Sequence, residues 1–256
     1  MAFANGHDDL GMRGKVAVVT AGARGIGRAT ALLLARWGAC AVAVDLDAEA
    51  LAGVSAEATA AGGTFETLAA DVCDESAVAV LFAGVAERHG HVDILVNAVG
   101  GGKPAALDEI SGAEWDRMFS LNVKSSFFCA REAARCMPAG GRIVNVASLA
   151  GVASSVLQGA HYSSAKAAVI GLTRHLAREL GPRGITVNAI APGTTLTERI
   201  RTQMTPEKHQ ALIERIPLGR LATPEDQACV ILFLASSLSA YVTGVTIDVN
   251  GGYLLT

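Results

Sequence analysis

Lys15-Val16-Ala17-Val18-Val19-Thr20-Ala21-Gly22-Ala23-Arg24-Gly25-Ile26-Gly27 decides the fold. Its first part, through Thr20, is a short apolar run, the part from Ala21 to Gly27 is glycine-rich, and residues 28–37 follow with the leucine and alanine density of a helix. That is strand, turn, helix. At such a turn glycines let the backbone approach a phosphate, while the start of the helix offers free N–H groups at the positive end of its dipole. Outward from here the alternation repeats. Residues 41–45 form a strand and 48–61 a helix stopped by Gly62-Gly63; residues 67–72 form a strand, 75–89 a helix and 92–97 a fourth strand. After the loop Gly100-Gly101-Gly102-Lys103-Pro104, a long helical region runs through Trp115 to Cys136 with an interruption around Leu121-Asn122. Residues 142–147, 185–190 and 245–249 are the remaining strands, 161–180 and 224–235 the remaining helices, and 194–216 has mixed charge and weak periodicity.

Continuous apolar strands separated by helices mean a parallel sheet covered on both faces. The expected architecture is α/β: a single-domain, Rossmann-type doubly wound parallel sheet of about seven strands with helices on both faces. Residues 1–12 read as a flexible N-terminal tail and 13–256 as one domain, with no repeat or linker to divide it.

Composition narrows the function. The chain has 256 residues, 51% hydrophobic and 18% charged, with 28 glycines, which suits a folded α/β protein with many tight turns. A net charge of −3 leaves no basic footprint for nucleic acid. No run of about 18 uncharged apolar residues exists, so no membrane role is expected. Five cysteines, an odd number in no CxxC pairing, point to reduced thiols and a cytoplasmic location. Cys40 and Cys229 fall in apolar segments and read as small core residues, and Trp37 and Trp115 as packing residues.

Two features carry chemistry. Tyr162 and Lys166 lie one helical turn apart on one face, so an ammonium can sit beside a phenol and pull its pKa down from about 10. Asp45 ends the second strand, where a carboxylate accepts from both adenosine ribose hydroxyls and repels a 2′-phosphate. NAD is therefore expected and NADP disfavoured, unless Arg24 neutralises Asp45. His89-Gly90-His91 could suggest a metal pair, but no carboxylate or cysteine stands close in sequence to complete it, and no metal site is expected. His161, at the start of the Tyr162 helix, either lines the substrate cleft or packs in the core.

Over its whole length the chain resembles the short-chain dehydrogenase/reductase family in its compact form. The family's Thr-Gly-x-x-x-Gly-x-Gly loop falls on Thr20 to Gly27, its Asp-Val adenine contact on Asp71-Val72, and its Asn-Asn-Ala-Gly strand end on Asn97-Ala98-Val99-Gly100. The strand-five serine falls on Ser148, the Tyr-x-x-x-Lys on Tyr162 and Lys166, and the Pro-Gly turn on Pro192-Gly193. Thr243-Gly244 and Val249-Asn250-Gly251-Gly252 are similar to the family's closing signature. The resemblance implies a hydride-transferring oxidoreductase acting with NAD on a secondary alcohol or ketone, with Tyr162 as general acid/base, Lys166 lowering its pKa, Ser148 holding the substrate oxygen and Asn122 in a proton relay. For Asn122 a helix-kink or capping role is the alternative. The cofactor would be held by Ala21, Arg24, Gly25, Ile26, Gly27, Asp45, Asp71, Val72 and Asn97, by Tyr162 and Lys166, and by Pro192, Gly193, Thr195 and Thr197. Alternative implied readings are an NADPH-dependent 3-oxoacyl-[acyl-carrier-protein] reductase, which Asp45 weakens, and a catalytically silent NAD-binding relative. A homotetramer is implied, with the apolar faces of residues 167–180 and 231–234 at its interfaces.

Three departures from the family pattern carry expectations. Ala21 stands at the first loop glycine, tolerable at negative φ and strained otherwise. Ala98-Val99 removes a side chain expected to tie the central strands. Ser148 lies fourteen positions before Tyr162, where the family more often has thirteen, which makes Ser154 and Ser155 alternatives. The lid and substrate pocket should come from the loop after Gly100 and from residues 151–159 and 194–216, mainly apolar through Leu149, Val152, Val156, Leu157 and Leu196, with Arg199 and Arg201 able to reach an anionic group.

Overall fold

The computed structural model describes residues 10–153 and 158–255. Strands β1 (Val16–Thr20), β2 (Cys40–Asp45), β3 (Phe65–Ala69), β4 (Ile94–Asn97), β5 (Arg142–Val146), β6 (Thr186–Pro192) and β7 (Thr246–Val249) form one parallel sheet in the order β3-β2-β1-β4-β5-β6-β7. The order reverses between β1 and β4, so the crevice at the carboxyl ends of these two strands is the switch point at which open α/β sheets bind ligands.

Alternation along each strand feeds two cores. Val16, Val18, Val42 and Val44 face α3 (Glu75–His89), α5 (Ser125–Cys136) and α7 (Ala160–Leu180). Ala17, Val19, Ala43 and Val96 face α1 (Gly25–Arg36), α2 (Ala48–Ala60) and α10 (Pro224–Ala235). Successive residues serve opposite faces, so both parities must be apolar and the strands read as continuous runs.

Several element ends differ from expectation. β3 spans Phe65–Ala69 rather than 67–72, because its register runs from Phe65 beside Ala41 to Ala69 beside Asp45; beyond Ala70 the chain turns toward Asp74, which caps α3. Residues 10–12 do not belong to a flexible tail: Met12 is buried, Leu10 packs on the core, and the Leu10 carbonyl accepts from Ser237 N–H. The helical interruption is a π-helical turn, Ser120–Lys124, between α4 (Gly112–Phe119) and α5. Short helices α6 (Leu149–Val152), α8 (Glu198–Gln203) and α9 (Pro206–Ile213) occupy segments that periodicity left unassigned.

Packing assignments change as well. Cys229 is exposed and Cys40 half-buried, so neither is a core thiol, and all five cysteines are free. Trp37 and Trp115 both reach the surface, Trp115 stacked on Phe119 at 5.3 Å. Among residues 231–234, Ile231, Leu232 and Leu234 are buried within the chain's own core; the exposed apolar side chains on this side are Phe233, Leu238 and Tyr241. No helix among the described residues is long and apolar enough to cross a membrane.

Candidate active site

The carboxyl ends of β1, β4, β5 and β6 open into one cleft of about 1250 Å³. The glycine turn forms one wall. Ala21, Arg24, Gly25, Ile26 and Gly27 all border the cleft, and the turn is so tight that a Cβ on Gly27 would lie 2.2 Å from the Ala21 carbonyl oxygen and one on Gly22 2.7 Å from Ala43 Cβ. Ala21 itself has φ +52°, the left-handed conformation in which an L-residue is strained, so the condition under which this alanine would be harmless is not met. The first turn of α1 has no acidic residue, and Arg24 caps it with no side-chain hydrogen bond. Its N–H groups are left for an anion. A close-packed glycine turn with an open helix start fits the pyrophosphate of a dinucleotide.

Asp45 borders the same wall, its carboxylate accepting from Ala23 N–H and Asp47 N–H, each at 3.2 Å. Arg24 pairs with Asp47 instead, so the guanidinium does not neutralise Asp45. Thr197, the cap of α8, places its methyl against Gly25, and Thr195 is buried and accepts from Gln227. Pro192, the last residue of β6, and Gly193 also border the cleft. Other expected cofactor residues stand apart from the cleft lining. Asp71 is exposed with its carboxylate accepting from Cys73 N–H, and Val72 packs in the core. Asn97 is buried and donates to the Ser126 carbonyl and to Asn145 Oδ1, so its side chain braces the strand end.

That bracing also answers the Ala98-Val99 departure. Thr20 Oγ1 accepts from the N–H groups of both Ala98 and Val99, at 3.0 and 3.3 Å, and the Asn97–Asn145 pair continues to Thr173 Oγ1 on α7 at 2.9 Å. The central strands are tied without the missing side chain.

The opposite wall holds the reactive groups. Ser148, two positions beyond β5, donates a hydrogen bond to the Tyr162 hydroxyl, so the fourteen-residue spacing does not part them; Ser154, Ser155, Val156 and Leu157 lie outside the described residues. Lys166 is buried, and its Nζ donates to the Val146 carbonyl at 2.8 Å, 6.0 Å from the centre of the Tyr162 ring. Burial pushes the Lys166 pKa down to about 8. The Tyr162 pKa is raised, against the sequence-based expectation: burial dominates, and the opposing influences are the Ser148 hydrogen bond and the Arg199 charge.

Three consecutive glycines hold this wall together. A Cβ on Gly100 would meet Lys166 Nζ and Asn122 Oδ1 at 2.6 and 2.7 Å, one on Gly101 the Arg199 guanidinium at 2.9 Å, and one on Gly102 the Tyr162 ring at 2.5 Å. Asn122, in the π turn, is fully buried; it accepts from Gly101 N–H and donates to the carbonyls of Gly101 and Met118. It therefore both stabilises the helical interruption and brings its amide to the Lys166 side of the cleft. This glycine contact pattern was missed from sequence, because it is set by four side chains remote in sequence rather than by local turn chemistry.

His161 is fully buried, 3.6 Å from Glu114, and does not line the cleft. The fold also brings His89 together with Glu66 and Cys40, whose ligand-type atoms lie within 4.8 Å of one another, supplying the carboxylate and cysteine that the local sequence lacks. Arg88 holds the same Glu66 carboxylate at 3.4 Å, while His91 turns away to Asp93. The cluster lies at the amino end of β2, away from the cleft.

Residues 20–254 match the enoyl-(acyl carrier protein) reductase family. The chain is 38% identical to a 3-oxoacyl-[acyl-carrier-protein] reductase of Thermotoga maritima, covering 95% of this chain and 99% of the relative. It is 37% identical to a D-threitol dehydrogenase of Mycolicibacterium smegmatis, covering 96% and 95%. A dehydrogenase/reductase crystal structure from Sinorhizobium meliloti superposes with a TM-score of 0.90 at 36% identity, over 95% of this chain and 96% of that one. With the seven-stranded parallel sheet in agreement, the chain belongs to the short-chain dehydrogenase/reductase family of nicotinamide-linked oxidoreductases.

Proposed function

We propose that the protein is an NAD-linked dehydrogenase that interconverts a secondary alcohol and its ketone. The observation that carries this reading is the Tyr162 phenol, hydrogen-bonded to Ser148 at the inner wall of a cleft whose outer wall presents a free Asp45 carboxylate. The cofactor would be held by the glycine turn at its pyrophosphate, by Asp45 at its adenosine ribose, by Thr195, Thr197 and the Pro192-Gly193 turn near its nicotinamide end, and by Lys166 at the nicotinamide ribose. When bound, NAD supplies the acceptor for the hydride from the carbinol carbon.

The chain's own groups handle the proton and the oxygen. In oxidation the Tyr162 oxygen takes the hydroxyl proton, and in reduction it returns that proton to the carbonyl. With substrate bound, the Ser148 hydroxyl would turn its single proton from the Tyr162 oxygen to the substrate oxygen and hold it in place. Because burial raises the Tyr162 pKa, the phenolate form needed for oxidation gains population as pH rises, and the phenol needed for reduction persists to higher pH. Asn122, across Gly100 from Lys166, would hold a water that links the ammonium to solvent, so that the tyrosine's proton can leave along it.

A second reading is favoured by the Thermotoga relative: an NADPH-dependent reductase of 3-oxoacyl thioesters. Fluorescence titrations with NADH and NADPH separate the two. Tighter NADH binding, with NAD-dependent oxidation in an alcohol screen, is expected; tighter NADPH binding would overturn the Asp45 argument. A homotetramer in the cytoplasm completes the proposal, with exposed Phe233, Leu238 and Tyr241 at one interface and a tetramer mass in light scattering at micromolar protein as its check.

A further inference from the structure

Arg199 borders the cleft and is exposed to solvent there. Of the other arginines that border the cleft, Arg24 pairs with Asp47 and Arg215 lies over the Tyr253 ring. Among the described residues no carboxylate pairs with Arg199, although its neighbour Glu198 borders the same cleft. The guanidinium reaches across from α8 to Gly101, between the glycine that meets Lys166 and Asn122 and the glycine that meets the Tyr162 ring. Its charge acts directly on Tyr162. A guanidinium at the border of the cleft next to the phenol, with no carboxylate partner among the described residues, is matched to a charge that arrives with the ligand.

We infer that Arg199 is an anion subsite for substrate, and that the substrate carries a carboxylate within a few bonds of its reacting carbon. This rests on the dehydrogenase reading above and narrows it from secondary alcohols in general to hydroxy and oxo acids. The competing source of the anion is a phosphate of the cofactor. Position favours the substrate: the glycine turn that fits the pyrophosphate is met by Thr197 at Gly25, whereas Arg199 meets the chain at Gly101, beside the phenol. A planar guanidinium presents paired N–H groups that match a carboxylate, and it stays charged across the working pH range.

The test uses the full chain with 2-hydroxybutanoate, 3-hydroxybutanoate and the methyl ester of each, so that charge changes while the carbinol is kept. Wild type is expected to prefer at least one acid over its ester in kcat/KM. Arg199→Gln should lower that acid-to-ester ratio by ~30-fold, with Arg199→Lys recovering part of it. Gly101→Ala, whose Cβ would press on the guanidinium, should lower the ratio in the same direction. The Kd for NADH, read by fluorescence, should stay within about twofold in Arg199→Gln, and calorimetric binding of the preferred acid to the NADH complex should be lost. An unchanged acid-to-ester ratio in Arg199→Gln overturns the inference. So does a loss of NADH affinity as large as the loss of acid preference, which would assign the guanidinium to a cofactor phosphate. If neither acid nor ester is turned over while the acid still binds in an Arg199-dependent way, the dehydrogenase reading fails and the anion subsite stands.

Discussion

The cleft has two glycine clusters, and they are glycine for different reasons. At Gly22 and Gly27 the neighbours that exclude a Cβ include backbone: the Ala21 carbonyl, the Val19 carbonyl and the Ala43 Cα. At Gly100, Gly101 and Gly102 the excluded space belongs to functional side chains, namely Lys166, Asn122, Arg199 and Tyr162. Backbone cannot swing aside without unfolding a turn, whereas a side chain can move at the expense of its own position. On the proposed reading, the first cluster sets whether a dinucleotide binds, and the second sets where the reacting groups stand. Damage to one wall should leave the function of the other readable.

The sharpest separation is Tyr162→Phe, which removes only the hydroxyl: kcat should fall by ~10³-fold while NADH still binds. Loss of NADH binding in that variant would show the walls to be one unit. Gly27→Ala attacks the other wall. Its Cβ has nowhere to go against backbone, so NADH affinity should drop by roughly 100-fold and the fold should lose about 1–3 kcal/mol in denaturant titration. Next comes Gly102→Ala, which displaces the Tyr162 ring: about a tenfold loss in kcat is expected, with the Kd for NADH unchanged.

The inner wall also has a pH signature. Lys166 has a folded pKa of about 8, below its ordinary value, so between about 8 and 10 the unfolded chain binds more protons than the folded one. Stability should therefore rise across that window, by about 1 kcal/mol per pH unit where the difference is complete, and the rise should vanish in Lys166→Met. Tyr162, with its raised pKa, works in the opposite sense above about 10. The smallest effect belongs to the outer wall. Ala21→Gly relieves a positive φ but loosens the unfolded chain, for a net gain of under ~1 kcal/mol, read as a rise in Tm of a few degrees at most.

The same contrast explains what could be read from the sequence. The outer wall is made by local chemistry, so strand, glycine turn and helix were legible in residues 15–37, and Asp45 followed from its place at the end of β2. Helices α3 and α10 were legible to their ends, because Asp74 and Gly90 bound one and the Thr223-Pro224 start with its Asp226 capping box opens the other. The α9 start, Thr205-Pro206-Glu207, carries the same signal in a segment whose apolar periodicity is too weak to draw attention to it. Ser148, Tyr162 and Lys166 were identified by resemblance, yet the direction of the Tyr162 pKa was not. Burial is a property of the whole fold, and a helical spacing of four says only that an ammonium can come near, not that its Nζ turns to the Val146 carbonyl. The role of Gly101 was likewise hidden, since it depends on a side chain nearly a hundred positions away.

The Asn97–Asn145–Thr173 chain has a consequence for how such a protein can change. It fastens α7 to β4 and β5 from beyond Lys166, on the far side of Tyr162 from the segment that leads into the helix. The phenol is thus positioned from downstream, by contacts that do not depend on the length of the connection between Ser148 and α7. One more residue in that connection leaves Ser148 and Tyr162 in contact. Insertions there are a route by which the mouth of the cleft can be reshaped for new substrates while the proton-transfer geometry is inherited intact.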